Sequence, residues 1–220
     1  MPSKVKDCPF LLISPPEEIS IAYELVQKFL MINGIKLKNG LKIKLDFSLP
    51  PECCGLYFYK TDACSIYIDP QNCTTIENYT YGLPSDNNYS YFGYSSDLTM
   101  VGVTIHEFSH FLSNLVYPGI VDEYKSSFPT KRVFLNHYAS TDAEEELTEL
   151  MRLYIENPIL LRLIDANVYR FLKARFKSPI PCSDKQFYKF YRDYPEVIKN
   201  QLKTKWGIGY NVHTQRFVKE

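Results

Sequence analysis

His106-Glu107-Phe108-Ser109-His110 closes an apolar run, Met100, Val101, Val103 and Ile105, whose spacing is that of a helix. Residues four apart on a helix share a face, so both imidazoles can address one metal ion. Glu107, one position along, leans toward a water beside that ion. With 4 histidines in 220 residues, an H-E-x-x-H spacing arises by chance only roughly 0.003 times. The plain alternative is a core helix carrying two hydrogen-bonded histidines.

A catalytic zinc takes three protein ligands and keeps a fourth position for water. Residues 111–117 offer neither the glycine nor the third histidine of the extended metzincin pattern, and only His137 and His213 remain elsewhere. A carboxylate from a later helix is left as the third ligand. Residues 142–156 read as that helix, stopped by Asn157-Pro158. On its wheel Ala143, Leu147, Leu150, Met151 and Tyr154 form an apolar stripe, with Asp142, Glu145, Glu149 and Arg152 opposite. If the stripe packs into the C-terminal helices, the opposite face lines the cleft, and Glu145 and Glu149 become ligand and supporting partner. Glu144 and Glu146 sit on the flanks, where a solvated first turn stabilised by the helix dipole is the preferred reading. The register of the third ligand stays open by one residue, with Glu144 as runner-up and Glu146 next to it.

Working outward, residues 16–33 repeat Ile19, Ala22, Tyr23, Val26 and Leu30 near helical spacing, with Glu17 and Glu18 in the first turn and Gly34 past the end. Segments 41–49, 55–59 and 65–68 have strand character and should form a small sheet. Residues 71–97 carry no sustained period and are crowded with Asn, Ser, Thr and Tyr, as a functional loop or a surface excursion would be. From 98 onward the chain reads as helices, first 98–117, then 142–156, then shorter ones to about residue 203. Cys53, Cys54, Cys64 and Cys73 lack the paired spacing of a zinc knuckle and are read as thiols.

Composition limits the partners. Twenty-five basic and 25 acidic residues cancel, so no global field draws the chain to nucleic acid or anionic lipid. No apolar run approaches the roughly 18 residues of a membrane span, and the opening residues are charged where a secretory signal is hydrophobic. A cytoplasmic chain is expected, and a virus-encoded or exported effector is compatible with the same sequence.

H-E-F-x-H, a tyrosine seven residues ahead of an E-x-x-x-E pair, and a following Arg-Leu together resemble the catalytic domain of anthrax lethal factor and the clostridial Pro-Pro endopeptidases. Here those elements are His106 to His110, Tyr138, Glu145, Glu149 and Arg152-Leu153. The likeness covers roughly residues 98–175, and it departs at Glu146, where the family usually has an aromatic or aliphatic residue. It implies a zincin-like α+β metallopeptidase of the gluzincin type, with a small mixed N-terminal sheet, the H-E-x-x-H helix and a helical C-terminal part. A single domain over 1–220 is expected, with lobes 1–117 and 118–220. By the resemblance His106, His110 and Glu145 hold one Zn2+, Glu107 is the general base, Tyr138 assists through its phenol and Glu149 holds a ligand histidine. The expected activity is zinc-dependent hydrolysis of a peptide bond in a protein or peptide substrate, by a monomer. In such folds an extended peptide pairs with a sheet edge, and 65–68 is the candidate edge. A zinc-binding recognition domain without turnover, or an amidohydrolase on a non-peptide amide, are the competing readings. The former shares the ligands but has no need of Glu107.

Overall fold

The first helix, α1 (Pro15–Ile32), buries Ala22, Val26, Phe29 and Leu30, the one-sided stripe that its sequence spacing requires. It stops where Gly34 takes φ +66°, a conformation that costs glycine nothing. The computed structural model describes residues 15–37, 40–50, 53–60, 63–69, 100–130, 139, 141–179, 203–204, 206–211, 213–214 and 216–219. Tyr138, His137 and the tyrosine-rich stretch 71–97 lie outside the described residues.

Three strands follow, β1 (Leu41–Leu45), β2 (Gly55–Lys60) and β3 (Ala63–Ile68). Their order is β1-β3-β2, with β1 parallel and β2 antiparallel to β3. Segment 65–68 is therefore the centre of the sheet, and the expectation that it is an edge is wrong. Alternation misleads here because Ile66 and Ile68 are fully buried and β3 is paired on both sides. Asp69 N–H donates to Cys54 C=O at 3.0 Å, which fixes the ladder phase: Gly55, Tyr57 and Tyr59 turn their backbone groups away from β3.

Beneath the sheet runs α2 (Met100–Phe111), in contact with β2, β3, α1 and the later helix over Ala143–Glu156. It buries Val101, Ile105 and Phe108, and Phe108 meets Phe29 edge-on at 5.8 Å. The helix expected over 98–117 does not continue as one α-helix. Residues Leu112–Val116 form a π-helical turn, a widening of the ladder that is common beside functional sites.

Helix α3 (Ile120–Ser127) leads toward α4 (Ala143–Glu156). Asp142 caps α4, its Oδ1 accepting the Glu144 and Glu145 N–H groups at 2.8 and 2.9 Å. Every residue from Glu146 through Ile155 is buried, so α4 has no face left to solvent along this length. α4 packs on α2, α3, α5 (Pro158–Ile164) and α6 (Ala166–Lys173), and the face that carries Glu145 and Glu149 is covered by α2, whose two histidines it meets. Asn157 ends α4 and caps α5 through Leu160 N–H, the double duty that an Asn-Pro junction suits. Beyond the helices the chain forms a two-stranded antiparallel pair, β4 (Ile208–Asn211) and β5 (Arg216–Lys219). The C-terminal lobe, expected to be helical to about residue 203, also carries this hairpin, in which Asn211 accepts from the His213 and Thr214 N–H groups. Among the described residues no helix is long and apolar enough to cross a membrane.

Candidate metal centre

The α2 spacing sets His106 and His110 on one face, and α4 brings an i, i+4 pair of its own, Glu145 and Glu149, against it. Three atoms converge. His106 Nε2 and His110 Nε2 are 3.2 Å apart, and Glu145 Oε2 lies 3.3 Å from the first and 3.4 Å from the second. These three residues form the one His/Cys/Asp/Glu group among the described residues able to hold a metal.

The triangle has a physical meaning. Ligands about 2.0–2.1 Å from a tetrahedral zinc stand roughly 3.3–3.4 Å from one another. One face of an octahedron at about 2.1–2.2 Å has edges nearer 3.0–3.1 Å. The observed edges of 3.2 to 3.4 Å lie closest to the tetrahedral case, and two imidazoles with one carboxylate are a donor set that zinc accepts.

The far side of each ring is also engaged. His106 Nδ1 is 2.6 Å from Glu149 Oε1, and His110 Nδ1 is 3.2 Å from Glu144 Oε1. Thr148 Oγ1 stands 3.4 Å from the latter nitrogen. A carboxylate accepts and does not donate, so each Nδ1 carries the hydrogen and each Nε2 turns a lone pair into the triangle. Three acceptors facing one another demand positive charge between them. In the metal-free site a proton answers: burial opposes charge on His106, but the Glu145 and Glu149 carboxylates override it and hold its pKa up to about 10. Burial also works against ionised Glu145, yet His106 and His110 hold it down to about 2.

Glu149 is buried too, which by itself would favour its neutral form, but Arg152 and then His106 keep it well below the usual carboxylate range. Arg152, fully buried, donates to Glu149 Oε2 from Nε at 3.2 Å and Nη2 at 2.6 Å, and its Nη1 lies 3.3 Å from Glu156 Oε2. The His106 support is thus a buried chain of alternating charge, in which each member satisfies the next.

Glu107 is half-buried, and burial pushes its carboxyl up, with His106 and His110 pulling it back in part. It also accepts a hydrogen bond from the backbone of Tyr57 on β2. The strand can come this close because position 55 has no side chain: a Cβ there would stand 2.6 Å from Val103 Cγ1 and 2.9 Å from Glu107 Cγ.

Of the residues expected at the site, His106, Glu107, His110, Glu145 and Glu149 are brought together, and Tyr138 lies outside the described residues. Glu144 is not a solvated bystander, since it pairs with His110, and it does so at the nitrogen that points away from the triangle. Glu146 is fully buried, contrary to the solvated reading. The sequence reading missed Tyr57, Asn114 and Gly55. Asn114 had a signal, falling four residues after His110 just as His110 falls four after His106, whereas Tyr57 is one of 18 tyrosines with nothing in its neighbourhood to single it out. The chain matches no protein-family model, no curated protein and no solved structure with which it was compared.

Proposed function

We propose that the chain is a zinc-dependent endopeptidase of the zincin type, hydrolysing peptide bonds in a protein or peptide substrate. The observation that carries this reading is the triangle of His106 Nε2, His110 Nε2 and Glu145 Oε2, with edges of 3.2 to 3.4 Å and Glu107 beside it. Zinc held there supplies a Lewis acid that polarises the scissile carbonyl and makes water a nucleophile at neutral pH.

The side chains do the rest. Glu107 takes the proton of the attacking water and passes it to the leaving amine. Its burial raises its proton affinity, which suits a group that must hold a proton between two steps. Glu149 and Glu144 keep both imidazoles in the tautomer that ligates. The strand beside the site is β2, an edge of the sheet, so we assign substrate pairing to its outward-facing side, at Gly55 and Tyr59, in place of β3, the Tyr57 N–H being taken by Glu107. Tyr138 keeps the role that the family resemblance implies, a phenol donating to the oxyanion.

A recognition domain without turnover has no use for a half-buried carboxyl seated beside the ligands, and the placement of Glu107 favours catalysis over it. The test is Glu107→Gln with zinc content and digestion of an unbiased peptide library read together. Zinc should stay at one ion per chain while cleavage falls by about 10²–10⁴. Cleavage equal to that of the wild-type chain refutes the mechanism, and a wild-type chain that holds zinc but cleaves nothing in the library supports the recognition reading.

A further inference from the structure

The two ligand histidines are steadied differently, and on the His110 side one strand residue does several things at once. Tyr57 stacks its ring on the His110 imidazole with centroids 5.5 Å apart and planes only 6° from parallel. Its hydroxyl accepts from Asn114 Nδ2 at 2.5 Å. The same amide nitrogen lies 3.1 Å from Glu144 Oε1, so its two hydrogens are divided between Tyr57 and Glu144. Glu144 Oε1 in turn takes the Nδ1 hydrogen of His110. Tyr57, Asn114, Glu144 and His110 therefore close a ring of contacts spanning β2, the π-helical turn and α4. The backbone of Tyr57 meanwhile reaches Glu107.

We propose that Tyr57 is a positioning residue of the metal centre, fixing the plane of His110 with its ring, the orientation of Glu144 through Asn114, and the seat of Glu107 with its main chain. The inference rests on the reading of His106, His110 and Glu145 as metal ligands. Its physical basis is that a hydrogen bond at Nδ1 alone restrains the direction of an imidazole but lets the ring tilt about that bond. A parallel aromatic face removes the tilt. His106 gets its restraint from buried Glu149, locked by Arg152. Glu144 has a side chain 41% exposed, so water competes for its bond to His110 and the bracket of Tyr57 and Asn114 makes up the difference. The π-helical turn contributes by putting Asn114 one turn beyond His110 in reach of both partners.

The experiment uses the full chain, with zinc affinity measured by competition against a chromophoric chelator and the ligand field read from the visible bands of the Co2+-loaded protein. Tyr57→Leu removes the flat face and should weaken zinc binding by about tenfold and shift the Co2+ bands. Tyr57→Phe restores the face without the hydroxyl, so it should recover the wild-type bands and keep a loss of affinity smaller than that of Tyr57→Leu. Asn114→Ala should resemble Tyr57→Phe, and the double variant should be no worse than either single one because both cut the same ring. If Tyr57→Leu does not fold, Tyr57→Phe and Asn114→Ala decide, because a loss of zinc affinity common to both and not additive is the outcome that an ordinary packing tyrosine does not give. A folded Tyr57→Leu variant that binds zinc as tightly as the wild type with unchanged Co2+ bands overturns the proposal alone, and where that variant does not fold, wild-type affinity in both Tyr57→Phe and Asn114→Ala does so. A wild-type chain that binds neither ion overturns the metal reading and this inference with it.

Discussion

His106 and His110 stand one turn apart on the same helix, yet their surroundings are opposites. Behind His106 the side chains of Glu149 and Arg152 are 5% and 0% exposed. Behind His110 the Glu144 side chain is 41% exposed and its companions are an exposed amide and an aromatic ring. In the first case low dielectric makes one ion pair strong and its loss costly. In the second, water screens the charge, and restraint comes from shape and from several weak contacts. One helix thus carries a deep electrostatic anchor and a shallow steric one, which predicts unequal consequences when each is cut.

Glu149→Ala should do the most damage, because it frees His106 and takes from buried Arg152 the nearer of its two carboxylate partners. We expect a loss of about 3–5 kcal/mol in unfolding stability and a fall of about 10–100-fold in zinc affinity, read by denaturant titration and chelator competition. Gly55→Ala comes next. Its new methyl must push β2 away from Val103 and Glu107, costing about 1–3 kcal/mol in the same denaturation assay and loosening the His110 side while leaving Glu149 and Arg152 in place. Glu144→Ala should be mildest, with zinc affinity down by no more than about tenfold and stability within about 0.5 kcal/mol of the wild type. Equal losses from Glu149→Ala and Glu144→Ala would erase the contrast between the two sides.

The contrast extends to pH. In the metal-free protein His106 keeps a proton up to about pH 10, and zinc must displace it. Apparent zinc affinity should therefore climb by about tenfold per pH unit from neutrality toward pH 10, with about one proton released per ion bound. Calorimetry in buffers of different ionisation enthalpy counts that proton. Affinity that is flat across this range would show that no ligand is held protonated.

Much of this was legible in the residues. The i, i+4 spacing of His106 and His110 fixes their common face wherever the helix lies, and the same period ties Glu145 to Glu149. The Asn157-Pro158 stop ends α4 where the sequence reading puts it, and the helix begins at Ala143, one residue inside the expected start. Other features depended on what lies across space. Segment 65–68 does not reveal its central place because period-2 alternation reports which face is buried and carries no information on how many neighbours a strand has. Glu146 reads as solvated because dipole arguments concern the helix alone, whereas from Glu146 to Ile155 α4 is enclosed on every side. The hairpin of β4 and β5 went unseen because two four-residue strands give too short a period to read.

What the sequence determined by itself is therefore the chemistry and its local phase: two imidazoles, a carboxyl beside them and a second helix bearing carboxylates one turn apart, since a helix imposes its period through bonds between near neighbours. Only the tertiary structure decided which carboxylate closes the triangle, which one backs which histidine, and that a tyrosine some fifty residues upstream lies flat on His110. Those are contacts between elements distant in sequence, set by how α2, α4 and β2 fill space together, and no local period encodes them.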